Sequence, residues 1–140
     1  MTRRIIMLLS EVAILCGGFL SLGMFIFHLR FPTLFLWRYD LRRVSEANRR
    51  ILYTLHLALL LLFLLFGLVS FVYFKELARA EGLSLGICLA LTLFWLWRMI
   101  WQVAYFLPRD KKQMIIHIIV TVVFFLLLIS YGLPLIIRFI

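Results

Sequence analysis

The sequence predicts an all-α integral membrane protein: a four-helix bundle running up-down-up-down, with a short amphipathic interfacial helix between spans one and two. Three observations carry that expectation. Apolar residues make up 66% of the 140-residue chain, against about 45–50% in soluble domains, which is more than one small water-soluble core can hide. They fall into four runs, near residues 5–27, 51–74, 84–107 and 114–137, each long enough for the ~30 Å hydrocarbon core of a bilayer. Fifteen Lys and Arg face six acids, and all of the basic residues except Arg98 gather at or between the ends of these runs. A single transmembrane domain, 1–140, follows.

In the first run Ala13, Gly17 and Ser21 repeat every four residues. Such small-residue stripes let helix backbones approach closely in lipid. Glu11 lies about two turns in, where a lone charge is costly, so it is expected to protonate, face water or meet a cation. Met1-Thr2-Arg3-Arg4 before an apolar run mimics a signal peptide. The run is too long, however, and no small-x-small cleavage site follows. Leu15 before Cys16 also makes a poor lipoprotein site. The segment is expected to stay as the first span.

Between spans one and two, Pro32 and Thr33 mark a helix start. Leu34, Trp37, Leu41 and Val44 then recur at helical spacing, with Arg38, Arg42 and Arg43 off that face. This predicts an amphipathic helix over about 33–44 lying in the interface. Its arginines would meet anionic lipid phosphates and Trp37 would sit at head-group depth. Ser45 with Asn48 reads as a cap opening the second span, where Tyr53 and His56 share a face. A short turn, Lys75–Leu83, leads to the third span, which ends at Pro108. The charged turn to Gln113 leads to the fourth, with His117 and Thr121 near its start and Gly132 and Pro134 near its end.

Loops one and three together hold nine Lys or Arg, and the termini with loop two hold five. The positive-inside rule then puts loops one and three in the cytoplasm and both termini outside. The same placement explains the net charge of +9 without nucleic acid, since no basic face with an aromatic reading surface lies outside the apolar runs. Cys16 and Cys88 each sit inside an apolar run without CxxC or Cys/His spacing, so no metal site is expected.

Arg98 is the exception to that distribution. An arginine near mid-membrane costs about 3 kcal/mol on insertion scales. On a helix Trp95, Arg98, Trp101 and Gln102 share a face, and Tyr105 extends the polar stripe. Trp95 and Trp101 are expected to flank the guanidinium and stack on it. At ~1.5 Å per residue, His117, His56, Gln102 and Arg98 lie about 5–14 Å from the side of loops one and three, with His28 at that boundary. All could line one pocket. Glu11 enters from the other side and reaches Arg98 only through water or tilt.

Ser45-Glu46-Ala47-Asn48-Arg49, then His56, Leu85-Gly86-Ile87-Cys88, and Phe94-Trp95 with Arg98, Gln102, Tyr105 and Phe106 form a pattern across the middle half of the chain. In it the chain resembles a family of small uncharacterised bacterial four-span membrane proteins. The resemblance implies a bacterial inner-membrane location and no activity.

No paired carboxylates, activated nucleophile, phosphate loop or metal-ligand cluster is evident in the sequence. The leading expectation is therefore a non-catalytic accessory or assembly subunit of a larger membrane complex, bound to other subunits or to itself, with no cofactor. Two alternatives stand beside it. One is a b-type haem-binding electron-transfer subunit ligated by His56 and His117. The other is an anionic-lipid binding protein using Arg98 below and the loop-one arginines above.

Overall fold

The computed structural model describes residues 2–139. All regular structure among them is helical. Four helices are long and apolar enough to cross a membrane: α1 (Thr2–Leu29), α4 (Glu46–Val72), α6 (Gly82–Tyr105) and α7 (Lys111–Ile137). Between them lie short pieces: α2 (Phe31–Leu34), α3 (Trp37–Asp40), a 3₁₀ turn (Leu41–Arg43) and α5 (Phe74–Arg79).

The long helices start a few residues before their apolar runs because their caps lie in the charged turns. Ser45 Oγ accepts from Asn48 N at 3.4 Å, and Glu46 pairs with Arg50 one turn on. Glu81 and Ser84 form a reciprocal capping box for α6. Asp110 Oδ1 accepts from Gln113 N at 2.8 Å, and Gln113 Oε1 accepts from Arg109 N. Each cap satisfies N–H groups that the first helical turn leaves unpaired.

Two stretches depart from expectation. The segment 33–44 is not one helix. Leu36 takes a left-handed conformation, φ 48°, and splits it. A left-handed non-glycine residue costs roughly 1–3 kcal/mol and persists where its surroundings impose it. Here the break lets Phe31 and Phe35 turn inward while Trp37 packs on His56, with ring centres 4.9 Å apart. The turn Lys75–Leu83 is largely helix. Leu77 and Ala78 of α5 are buried and the piece packs on α1, while Cys88 Sγ donates to the Leu77 carbonyl.

Each long helix buries one stripe at alternating spacings of three and four. On α1 these are Ser10, Ile14, Gly17, Ser21, Met24 and His28; on α4 they are Leu60, Phe63, Gly67 and Ser70. Cys88, Leu91, Trp95 and Gln102 serve on α6, and Phe124, Leu127, Tyr131 and Pro134 on α7. This is the seam of near-parallel helix packing. α1 packs on both α4 and α7, and α6 packs on α7. The gap between α4 and α6 is filled by rings, with Phe63 stacked on Trp95 at 5.6 Å and Phe66 against Phe94 at 5.2 Å. Tyr131 Oη ties three helices together, at 3.1 Å from Ser21 Oγ and 2.8 Å from Ser70 Oγ.

Candidate functional site

Near the loop-one ends of the bundle, α1, α6 and α7 line a partly open cavity of about 50 Å³. α6 contributes Arg98 and Gln102, and α1 contributes Met24, Phe27 and His28. α7 adds Ile116, Val120 and Phe124, and the broken segment adds Phe31 and Phe35. Arg98 comes two turns before the end of α6, roughly 10 Å from it. Of the five residues expected around one pocket, Arg98, Gln102 and His28 line this cavity, and His56 and His117 do not.

The Arg98 guanidinium lies 5.2 Å from the Phe124 ring centre and 5.7 Å from that of Trp97. Its Nε is buried and has no hydrogen-bond partner. No carboxylate lines the cavity, and among the described residues no acid pairs with Arg98. Trp95 and Trp101 are not the rings that flank it. Trp95 is fully buried and stacked on Phe63, because its stripe faces the aromatic centre of the bundle. Trp101 is 46% exposed and stacks instead between Trp97 and Tyr105, with centroids 6.1 and 4.7 Å away. These three make an outward ladder four residues apart on α6, and Tyr105 is 71% exposed.

Gln102 is 8% exposed, and its Nε2 donates to His117 Nδ1 at 3.1 Å. The His117 ring lies parallel to Phe106. His117 thus holds Gln102 rather than lining the cavity. His28 Nδ1 sits 2.9 Å from the Met24 carbonyl. A carbonyl only accepts, so Nδ1 carries the proton and Nε2 of the neutral ring is left as an acceptor. The His28 ring stacks on Phe31 at 4.1 Å and lies 6.2 Å from that of His56. His56 is wrapped by His28, Phe31 and Trp37, with a buried Nε2 that has no partner.

His56 and His117, the pair considered for haem, therefore sit in different side-chain groups. Glu11 lies thirteen residues before Met24 on α1, roughly 20 Å along the helix from the cavity, and has no hydrogen bond or ion pair with Arg98 among the described residues. Arg38, Arg42 and Arg43 are exposed on the loop-one side, and Arg42 lies over Tyr39. Trp37 is half-buried against His56 and Tyr53.

Sequence reasoning placed His28 at the boundary of the pocket but missed Phe31, Phe35, Trp97 and Phe124 around it. His28 has a readable signal: it completes the buried stripe that begins at Ser10. Phe31 and Phe35 carry none, because their inward turn depends on the break at Leu36. Chemically the cavity offers a guanidinium with a free Nε and no acid to neutralise it. Such an arrangement suits holding an anion. No known protein family, curated protein or solved structure matches this chain.

Proposed function

We propose that this is a non-catalytic four-span membrane protein that binds anionic lipid, with Arg98 as the deep contact and Arg38, Arg42 and Arg43 as head-group contacts above it. One observation carries the reading: a half-buried cation faces a cavity that no carboxylate lines. Its burial costs about 3 kcal/mol or more. Rings at more than 5 Å return about 0.5–2 kcal/mol, and a bound anion supplies the rest. In this reading the four helices run up-down-up-down across a bacterial inner membrane. The 31–43 segment lies at the cytoplasmic interface with loop three, and the termini lie outside. Arg98→Leu is expected to lose co-purified acidic lipid, measured by mass spectrometry of the gently solubilised protein, while keeping its helical circular dichroism. Unchanged acidic lipid in a folded variant would overturn the reading.

A second reading, an accessory or assembly subunit of a larger membrane complex, is supported by the exposed Trp97–Trp101–Tyr105 ladder. Large aromatic side chains are enriched where membrane subunits or proteins dock. The two readings are compatible, since Trp101 and Tyr105 of the ladder do not line the cavity.

A further inference from the structure

The cavity beside Arg98 adjoins a second space. An apolar groove of about 350 Å³ runs between α1 and α7, walled by Phe19, Leu20 and Gly23 on one side and Ile119 and Val123 on the other. Met24, Phe27, Ile116 and Val120 line both spaces. The two spaces share these walls, and taken as one hollow they have a cationic end and an apolar end. Along α1 the apolar part reaches from Phe27 back to Phe19, roughly 12 Å, away from His28 and the exposed arginines. The hollow therefore has the polarity of a lipid in a leaflet, with its charge toward the interface and its apolar part toward the interior. A side chain at Gly23 would meet nothing within 4 Å, so this position leaves the groove open.

The space beside Arg98 is small, about 50 Å³, several times the ~10–15 Å³ that one water needs. A carboxylate is the smallest lipid head group that would fill it. Guanidinium also matches the planar carboxylate with paired N–H donors. The groove, at 350 Å³, is in the ~300–1,000 Å³ range of small-molecule sites.

We infer that the hollow binds a single-chain carboxylate amphiphile, a long-chain fatty acid, with its carboxylate on Arg98 beside His28 and Gln102 and its acyl chain between α1 and α7. The inference rests on the reading of Arg98 as an anion contact and narrows it to one ligand class. The test uses the full-length protein, delipidated in detergent, with palmitate, hexadecanol and phosphatidylglycerol as probes and native mass spectrometry as the readout. Palmitate is expected to bind at least about tenfold more tightly than hexadecanol of the same chain length. Arg98→Leu is expected to erase that difference. Gly23→Phe, which fills the groove where the side chain has free space, is expected to weaken palmitate by about tenfold or more. Hexadecanol binding as tightly as palmitate to the unsubstituted protein overturns the inference, and no variant has to fold for that result. Undiminished palmitate binding in Gly23→Phe overturns it as well. Arg98-dependent binding of phosphatidylglycerol without palmitate binding sinks the fatty-acid site and leaves the lipid reading standing. Loss of Arg98 dependence for both anionic probes sinks both.

Discussion

Tyr131 shows how much one hydroxyl can organise in a bundle of this kind. Ser70 Oγ donates to the Phe66 carbonyl at 2.7 Å, so its oxygen is left to accept from Tyr131 Oη at 2.8 Å. Tyr131 Oη then accepts from Ser21 Oγ at 3.1 Å. The result is a directed chain, Ser21 to Tyr131 to Ser70 to Phe66, crossing from α1 through α7 to α4. Hydrogen bonds between membrane helices average about 0.6 kcal/mol and reach about 1.7. Tyr131→Phe removes two of them and keeps the ring. It is expected to lower stability by about 1–2 kcal/mol, read from SDS-induced unfolding in mixed micelles. Ser21→Ala removes one and should cost about half as much. A Tyr131→Phe variant as stable as the parent would show that the chain of hydroxyls contributes nothing. This triad was hard to find in the sequence. Ser21 was visible as part of the small-residue stripe, but nothing local links it to a tyrosine 110 positions away. The same limit explains the misplaced tryptophans. Helical spacing groups Trp95 with Arg98 and Trp101, but it does not say that Trp95 turns into the aromatic centre while Trp97 and Phe124 take the guanidinium.

At the scale of elements, α1 is the helix around which the others gather, and its glycines fall into two kinds. A Cβ on Gly17 would lie 2.9 Å from Tyr131 Cζ and 3.1 Å from Ser130 Cβ. The Tyr131 ring is held by its two hydrogen bonds and gives little. On α4, a Cβ on Gly67 would lie 2.6 Å from Leu22 Cδ2 and 2.7 Å from Leu22 Cγ of α1. Gly23, on the same helix as Gly17, meets nothing. Gly17→Ala and Gly67→Ala are therefore expected to destabilise by about 1–3 kcal/mol through overpacking. Gly23→Ala is expected to be neutral or slightly stabilising, since alanine is the better helix former. Thermal unfolding in detergent separates the two kinds. Equal effects at all three positions would contradict the close approach of α1 to its neighbours. The Ala13–Gly17–Ser21 stripe gave this contact away in advance, because small residues at fixed spacing have few other uses in lipid. The segment 33–44 departs from the single helix expected there for the opposite reason. Its apolar spacing fits a helix, but the pull of Phe31 and Phe35 into the cavity and of Trp37 onto His56 is a tertiary demand that local pattern does not carry.

For the whole molecule, four apolar runs made the number of long helices readable, because nothing else in a chain this short hides so much apolar surface. Their orientation rests on a subtler balance. The nine basic residues of loops one and three outweigh the five of loop two and the termini, yet Arg3 and Arg4 pull the other way. One contact supports an antiparallel arrangement: Arg138 Nη1, just after α7, donates to the Ala80 carbonyl in the turn between α5 and α6, at 3.3 Å. That brings the end of the last long helix beside the turn that joins the second and third, as an even number of alternating crossings requires. Asp40 and Glu76 are exposed acids on opposite ends in this arrangement, and replacing either leaves the Lys/Arg count of every loop unchanged. With Cys16→Ala as background, Asp40→Cys is expected to resist a membrane-impermeant maleimide in intact spheroplasts and to react after permeabilisation. Glu76→Cys is expected to react in both conditions. The reverse pattern would keep the four crossings and invert the protein, moving the opening near Arg98 to the outer leaflet. Equal labelling of both positions in intact cells would instead break the alternation itself. It would also remove the physical basis for placing Arg98, His28 and Gln102 at one depth, since those three lie near the C-terminal ends of α1 and α6 and meet only if these two helices run in the same direction.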